Sequence, residues 1–137
     1  MLYCPSMSKA VTVKRASAGL GLFANKDFAK GEFVIEYTGE RITPDEANRR
    51  GGKYLFTVSK TCVLDAKGRE HTGRYINHAC KPNCFAEADE EEGRIRIYTK
   101  RRVAAGEELT YHYGKEYFED MIGIHCRCFT CRQKTAR

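Results

Sequence analysis

Arg74-Tyr75-Ile76-Asn77-His78-Ala79-Cys80-Lys81-Pro82-Asn83-Cys84 is the stretch on which the reading of this chain turns. It contains Asn-His-x-Cys-x-Pro-Asn. Two further segments follow it in order: Glu108-Leu109-Thr110-Tyr111-His112-Tyr113-Gly114, then Cys126-Arg127-Cys128-Phe129-Thr130-Cys131. Each alone is a weak signal. Together, in one order, they are a strong one, because three independent chance matches rarely line up.

Around these segments the chain is small. Its 137 residues fit one domain, and a hydrophobic content of 42% argues against wholesale disorder. A domain this short buries a modest fraction of its surface, so a structural metal would add to its stability. No apolar run is long enough to span a bilayer, and no membrane partner is expected. The start, Met1-Leu2-Tyr3-Cys4-Pro5-Ser6, lacks a basic segment followed by an apolar core, so no signal peptide is read there. The expectation is a reducing, intracellular setting, either a bacterial cytoplasm or a host nucleus. Seven cysteines in that setting favour metal binding over disulfides. The formal charge of +6 suits acidic partners or nucleic acid. No Arg/Lys block is long enough for a nucleic-acid arm, so most of these charges solvate the surface.

Short strands dominate. Val11 and Val13 alternate with polar neighbours, Phe33–Tyr37 is β-branched and aromatic, and Arg94–Tyr98 puts its isoleucines on one face. Residues 54–58 and 62–65 read as a strand pair, with a turn at 66–69. Gly19-Leu20-Gly21 precedes a further strand. Thr43-Pro44-Asp45-Glu46 starts a helix, with a capping hydroxyl, Pro at the first helical position and Glu three residues past the cap. Gly51-Gly52 ends it near Arg50. Phe28-Ala29-Lys30-Gly31-Glu32 and Val103-Ala104-Ala105-Gly106-Glu107 echo one another, and each reads as a tight turn feeding a strand. The acidic run Glu87, Asp89, Glu90, Glu91, Glu92 reads as a solvated hairpin turn closed by Gly93, or as an attractor for a basic tail. The class is mainly β with small helical pieces.

Cys126, Cys128 and Cys131 lie within six residues. Zinc takes four tetrahedral ligands, commonly thiolates, so one place is open. Cys4, Cys62, Cys80 and Cys84 are candidates for it, and His125 is a minor alternative.

The ordered set of segments resembles the SET-domain lysine methyltransferases, and the likeness runs from about Val11 to Cys131. It implies a SET-domain β-clip fold, with a C-terminal pseudoknot and a post-SET zinc site. Residues 11–117 would form the SET domain and 118–137 the zinc-binding tail. The compactness of the chain is similar to that of bacterial or viral members. The resemblance assigns Cys80 as the fourth zinc ligand beside Cys126, Cys128 and Cys131. The family more often has Cys-x-Cys-x₄-Cys in its tail, so the shorter spacing here matches a subset.

By the same resemblance the cofactor is S-adenosylmethionine. Gly19, Leu20, Gly21, Tyr54, Arg74, Asn77, His78 and Phe129 would bind it. Leu20 stands where a bulkier residue is often found, Phe129 would cover the adenine, and His78 is expected to be mainly structural. Tyr113 matches the family's essential tyrosine, while Tyr37 and Tyr111 match channel positions. Such chemistry asks for a narrow slot that aligns nitrogen, methyl and sulfur, and tyrosines supply flat walls with an orienting hydroxyl. A tyrosine rather than phenylalanine at Tyr111 implies mainly mono- or dimethylation. His112 replaces the family's usual Asp. The implied substrate is a basic lysine-containing tail, such as a histone's, with chromatin or nucleoid association. The end of the chain, Arg132-Gln133-Lys134-Thr135-Ala136-Arg137, is itself similar to a core histone tail. Self-methylation at Lys134 and substrate mimicry are two readings of it; chance similarity is a third. Two rival functions differ in kind. One is a catalytically silent peptide-binding module, which would bind cofactor without turnover. The other is a small zinc protein on nucleic acid, whose binding would fall steeply with salt.

Overall fold

The computed structural model of the chain describes residues 10–16 and 19–113. The tail cysteines Cys126, Cys128 and Cys131, together with His125, Phe129 and Lys134, lie outside the described residues, as does Cys4. The described chain forms β1 (Val11–Ala16), β2 (Gly19–Ala24), β3 (Phe33–Tyr37), β4 (Glu40–Ile42), α1 (Pro44–Arg50), β5 (Leu55–Thr57), β6 (Val63–Asp65), a 3-10 turn (Thr72–Tyr75), β7 (Asn77–His78), β8 (Cys84–Asp89), β9 (Arg94–Thr99) and β10 (Glu108–Tyr111). None of the described helices is long and apolar enough to cross a membrane. The mainly β expectation holds.

Two compact units emerge. The first takes the described residues up to Glu32, then Tyr75–Phe85, then those from Thr99 onward. Its sheet runs β1-β2-β10-β7. β1 and β2 pair antiparallel along their whole length, from Val11 opposite Ala24 to Ala16 opposite Gly19. β10 pairs antiparallel with β2 on one side and parallel with β7 on the other. Leu22 and Leu109 face each other in register and are completely buried, as period-2 strands with one apolar face require.

The two echoed turns also belong to this unit, and they face one another. Phe28 and Val103 form a two-way bridge, N–H to carbonyl at 2.8 and 3.0 Å. Both side chains are buried. Each turn is built in the same way. Glu32 N–H donates to the Ala29 carbonyl and Glu107 N–H to that of Ala104. Each glutamate carboxylate then accepts the amide of the first alanine, Ala29 (2.9 Å) or Ala104 (2.6 Å). Gly31 and Gly106 take φ of +77° and +95° at the third turn position, where L side chains are strained. The sequence echo is thus a pair of like turns back to back.

The second unit holds Phe33–Arg74 and Ala86–Tyr98. β3, β9 and β8 neighbour one another in that order, and β4, β6 and β5 form a second three-stranded sheet. The 54–58 and 62–65 pair appears as β5 and β6, with Leu55 opposite Asp65. β4 was not expected from the sequence. It is three residues long, too short to show a period, and exists because it pairs with β6. In α1, Thr43 Oγ1 accepts the Glu46 amide at 3.2 Å and Gly51 closes the helix at φ +62°. The Glu46 carboxylate turns to Arg50 (2.7 Å). Arg50 also holds Glu40 and the buried Asp65, each at 2.9 Å, and so ties the helix end to β4 and β6. The acidic run is a hairpin turn: Gly93, at φ +70°, donates to the Asp89 carbonyl, and Asp89 Oδ1 accepts the Glu92 amide.

Candidate active site

In the first unit three of the chemistry-bearing segments become neighbouring strands. Gly19-Leu20-Gly21 opens β2, Asn77-His78 is all of β7, and Glu108 to Tyr111 is β10 between them. Asn77 pairs with Thr110 and His78 with Tyr111.

Asn77 Nδ2 donates to the Leu20 carbonyl (3.0 Å) and to Glu108 Oε2 (2.9 Å). Both partners are acceptors, so the amide nitrogen must face them and Oδ1 must face away. Gly19 adopts φ +103° with open space where a side chain would stand. Gly21 is different. A Cβ there would sit 2.5 Å from Glu108 Oε2, 2.9 Å from Ala16 Cβ and 3.1 Å from Asn77 Nδ2. Leu20, between them, is half exposed at 52%.

His78 is buried, and burial, with electrostatic repulsion from the neighbouring His112 as a second cause, lowers its pKa to about 4. It is therefore a neutral imidazole at physiological pH. Nδ1 accepts the Tyr113 amide at 3.1 Å, which puts the ring proton on Nε2. Nε2 lies 3.6 Å from Cys80 Sγ and donates toward it. His112, the departure from the family's Asp, packs its ring edge-on against His78 at 4.4 Å. Tyr113 donates its phenol hydrogen to the Ile76 carbonyl at 2.7 Å. The Tyr111 and Tyr113 rings lie 5.1 Å apart at a tilt of 59°, with Tyr111 buried.

Two residues carry roles the sequence reading gave them no part in. Asn83, 5% exposed, uses its side-chain amide as a surrogate strand: Nδ2 donates to the Glu108 carbonyl and Oδ1 accepts the Thr110 amide, both at 2.9 Å. Glu108 holds Asn77. Both stood in the quoted motifs, which was the available signal. Ile76 contributes a backbone carbonyl, for which side-chain identity gives no signal. Of the described candidates for the fourth zinc place, Cys84 is buried and its thiol is pushed up to about 11, chiefly by that burial. It is poorly set to give up its proton. Cys80 is half-buried, with His78 Nε2 3.6 Å from its sulfur. Cys62 belongs to the other unit.

The second unit groups Tyr37, Tyr54 and Arg74. The Tyr37 hydroxyl donates to the Tyr54 carbonyl at 3.3 Å, and its ring meets Phe56 edge-on at 5.1 Å. Gly73 lies against Tyr37: a Cβ there would be 3.1 Å from Tyr37 Cδ2. The Arg74 guanidinium stacks 3.9 Å above the Tyr54 ring and donates to the Lys67 carbonyl at 2.6 Å. Arg74 also holds the Tyr54 phenol below its ordinary pKa by hydrogen bonding.

Fold and site together define a mainly β domain in which a Gly-x-Gly strand, an Asn-His strand and a tyrosine-bearing strand lie side by side. The SET domain family matches residues 19–114. Over 127 residues the chain is 42% identical to Histone-lysine N-methyltransferase 2D of Homo sapiens, covering 84% of this chain and 2% of that protein. Over 124 residues it is 40% identical to the Schizosaccharomyces pombe Histone-lysine N-methyltransferase, H3 lysine-4 specific, covering 82% and 14%. A crystal structure of the Chaetomium thermophilum polycomb repressive complex 2 matches with a TM-score of 0.69 at 38% identity, over 78% of this chain and 15% of that one. The chain belongs to the SET-domain family. It spans a small part of the length of each of these relatives.

Proposed function

We propose that this domain transfers a methyl group from S-adenosylmethionine to the side-chain amine of a protein lysine. The observation that carries the proposal is the Tyr113 hydroxyl, whose hydrogen is committed to the Ile76 carbonyl. A phenol oxygen so fixed presents lone pairs, which suit an N–H of a neutral lysine amine and leave the nitrogen lone pair free to attack. The names of the relatives support the same chemistry. The open backbone at Gly19 and the outward Oδ1 of Asn77 fit the amino-acid end of the cofactor.

S-adenosylmethionine, when bound, supplies an electrophilic methyl and a sulfonium charge. A lysine ammonium, of pKa about 10.4 in water, loses its proton to solvent more readily on entering an apolar slot beside that charge. Tyr113 then orients the amine. By the family resemblance Tyr37 and Tyr111 would line the channel, and the Tyr111 hydroxyl would favour mainly mono- or dimethylation. By the same resemblance Tyr54, Arg74 and Phe129 would also contribute to binding the cofactor. Cys80, Cys126, Cys128 and Cys131 would hold a zinc ion, a donor set of four thiols that suits this metal. The pseudoknot is supported by the position of β10 between β2 and β7. The substrate is a basic, lysine-bearing tail of histone type, and the protein works at chromatin.

The test is methyl transfer from labelled cofactor to core histones and to a cell lysate, with Tyr113→Phe as control. Loss of labelling by about 10²-fold in the variant, with cofactor binding kept, is expected. Full activity of Tyr113→Phe would remove its assigned role. Cofactor binding without turnover on any substrate would point to a silent binding module. Mass spectrometry of the enzyme after incubation reads Lys134 in the same experiment.

A further inference from the structure

We propose that Glu108 is a positioning residue for the cofactor: its carboxylate sets the Asn77 amide so that Oδ1 faces the amino-acid end of S-adenosylmethionine. The inference rests on the cofactor reading above and adds to it a residue that reading leaves without a part. An asparagine amide is nearly symmetrical in shape. A pocket can hold it either way round unless its neighbours discriminate. Here they do. One Nδ2 hydrogen goes to the Leu20 carbonyl and the other to Glu108 Oε2, at 3.0 and 2.9 Å. A backbone carbonyl alone would hold one hydrogen and leave the flipped amide a modest cost. A carboxylate adds a charge-assisted bond, and it would repel Oδ1 if the amide turned over.

The surroundings of the pair support a dedicated arrangement. Glu108 stands opposite Phe23 on β2, and its carboxylate reaches over Gly21 toward Asn77. A side chain at Gly21 would fall 2.5 Å from Glu108 Oε2 and 3.1 Å from Asn77 Nδ2. Gly21 takes no positive φ; a side chain there would crowd this hydrogen bond and also Ala16 Cβ, at 2.9 Å. The second glycine of Gly-Leu-Gly thus leaves room for the Glu108–Asn77 bond as well as for Ala16, while Gly19 would serve through its own backbone. An amide oxygen turned outward is the right partner for an ammonium, which only donates. It is the wrong one for a carboxylate. The geometry thus points to the α-ammonium of the cofactor as the group that Glu108 controls through Asn77.

The test compares two ligands that differ in that end. S-adenosylhomocysteine carries the amino-acid group; 5′-methylthioadenosine lacks it. Calorimetric titration of both into the wild type, Glu108→Gln and Glu108→Leu isolates the effect. Glu108→Leu is expected to weaken S-adenosylhomocysteine about tenfold or more, the scale of one charge-assisted hydrogen bond, and to leave methylthioadenosine unchanged. Glu108→Gln loses the charge, and its amide can turn over together with that of Asn77, so its affinity for S-adenosylhomocysteine should fall between those of wild type and Glu108→Leu, with methylthioadenosine unchanged. In turnover, KM for the cofactor should rise more than kcat falls. Should Glu108→Leu fail to fold, Glu108→Asp, one methylene short of Asn77, replaces it with the same expectation. Equal weakening of both ligands would mean a merely structural role and would overturn the inference, as would no weakening of either. A wild type that binds neither ligand would remove the cofactor reading itself, and the inference with it.

Discussion

Truncating Asn83 to alanine should destabilise this domain more than its single buried side chain suggests. The amide joins the backbone of β10 at two places, the Glu108 carbonyl and the Thr110 amide, each at 2.9 Å. Asn83 is 5% exposed, so water does not readily replace it. Removing it orphans one backbone donor and one backbone acceptor. Each unsatisfied buried group costs about 1–3 kcal/mol, and relaxation recovers part, so the pair should cost ~2–4 kcal/mol. For a chain of this length that is a fall in Tm of about 8–16 °C. The Thr110 amide should also lose hydrogen-exchange protection ahead of the rest of the sheet. Asn83→Asp sharpens the argument. One carboxylate oxygen still accepts from Thr110, but the other faces the Glu108 carbonyl, and the charge is buried. The new carboxyl should therefore have a folded pKa above its unfolded value of about 3.9. A group raised on folding contributes its stability below the unfolded pKa and loses it as pH rises through the folded one. The Asp variant should thus be weaker than wild type at neutral pH and approach it on acidification. Melting of Asn83→Ala within about 2 °C of wild type, or unchanged exchange at Thr110, would refute this account.

Three other outcomes follow from the same geometry. Gly73→Ala pushes a methyl to 3.1 Å from Tyr37 Cδ2 and 3.2 Å from its Cα, so it should cost ~1–3 kcal/mol by overpacking; Gly52→Ala meets nothing within 4 Å and should be neutral or slightly stabilising in parallel thermal melts. Gly31→Ala and Gly106→Ala place a side chain at positive φ in matching turns, so each should cost ~1–2 kcal/mol, and the two costs should agree within error in chemical denaturation. Cys84 should resist iodoacetamide in the folded protein and react on unfolding, because its thiol is buried and pushed up to about 11. The folded state then keeps a proton that the unfolded state releases, so stability should decline from pH 9 to 11 by about 2 kcal/mol in urea titrations.

The parts of the fold that were legible have a period or a punctuation mark. Phe33–Tyr37 and the isoleucines of β9 alternate, and Thr43, Pro44 and Gly51 bracket α1 residue for residue. The echo of the two Gly-Glu turns was visible as sequence, but their facing one another was not, because Phe28 and Val103 are distant in the chain and only tertiary pairing joins them. β4 and β7 were illegible for a related reason. At three and two residues they carry no alternation, and each exists by virtue of a partner strand. The candidate site was legible as a list of residue types. Which atoms face which partners was not. Gly19 and Gly21 look equivalent in sequence, yet one is fixed by its φ and the other by the close approach of Glu108 and Ala16.

The same shortness explains what the Asn-His-x-Cys-x-Pro-Asn segment does in the fold. β7 has two residues, far too few for ladder hydrogen bonds alone to hold β10 in place. The motif's side chains supply what is missing, and each does so by bonding to another segment's backbone. Asn77 takes the carbonyl of Leu20, His78 takes the amide of Tyr113, and Asn83 takes both kinds of group from Glu108 and Thr110. Tyr113 returns the favour through its hydroxyl to Ile76. A neutral His78 is required by this arrangement, since a protonated Nδ1 would confront the Tyr113 amide with a second donor; burial, which lowers its pKa to about 4, secures that state. Side chains that clasp backbone tolerate little substitution, because the geometry they satisfy is fixed by the sheet. They also leave few atoms over. Asn77 Oδ1 is turned away from the clasp and the Tyr113 hydroxyl is oriented by it, and the proposed chemistry uses both.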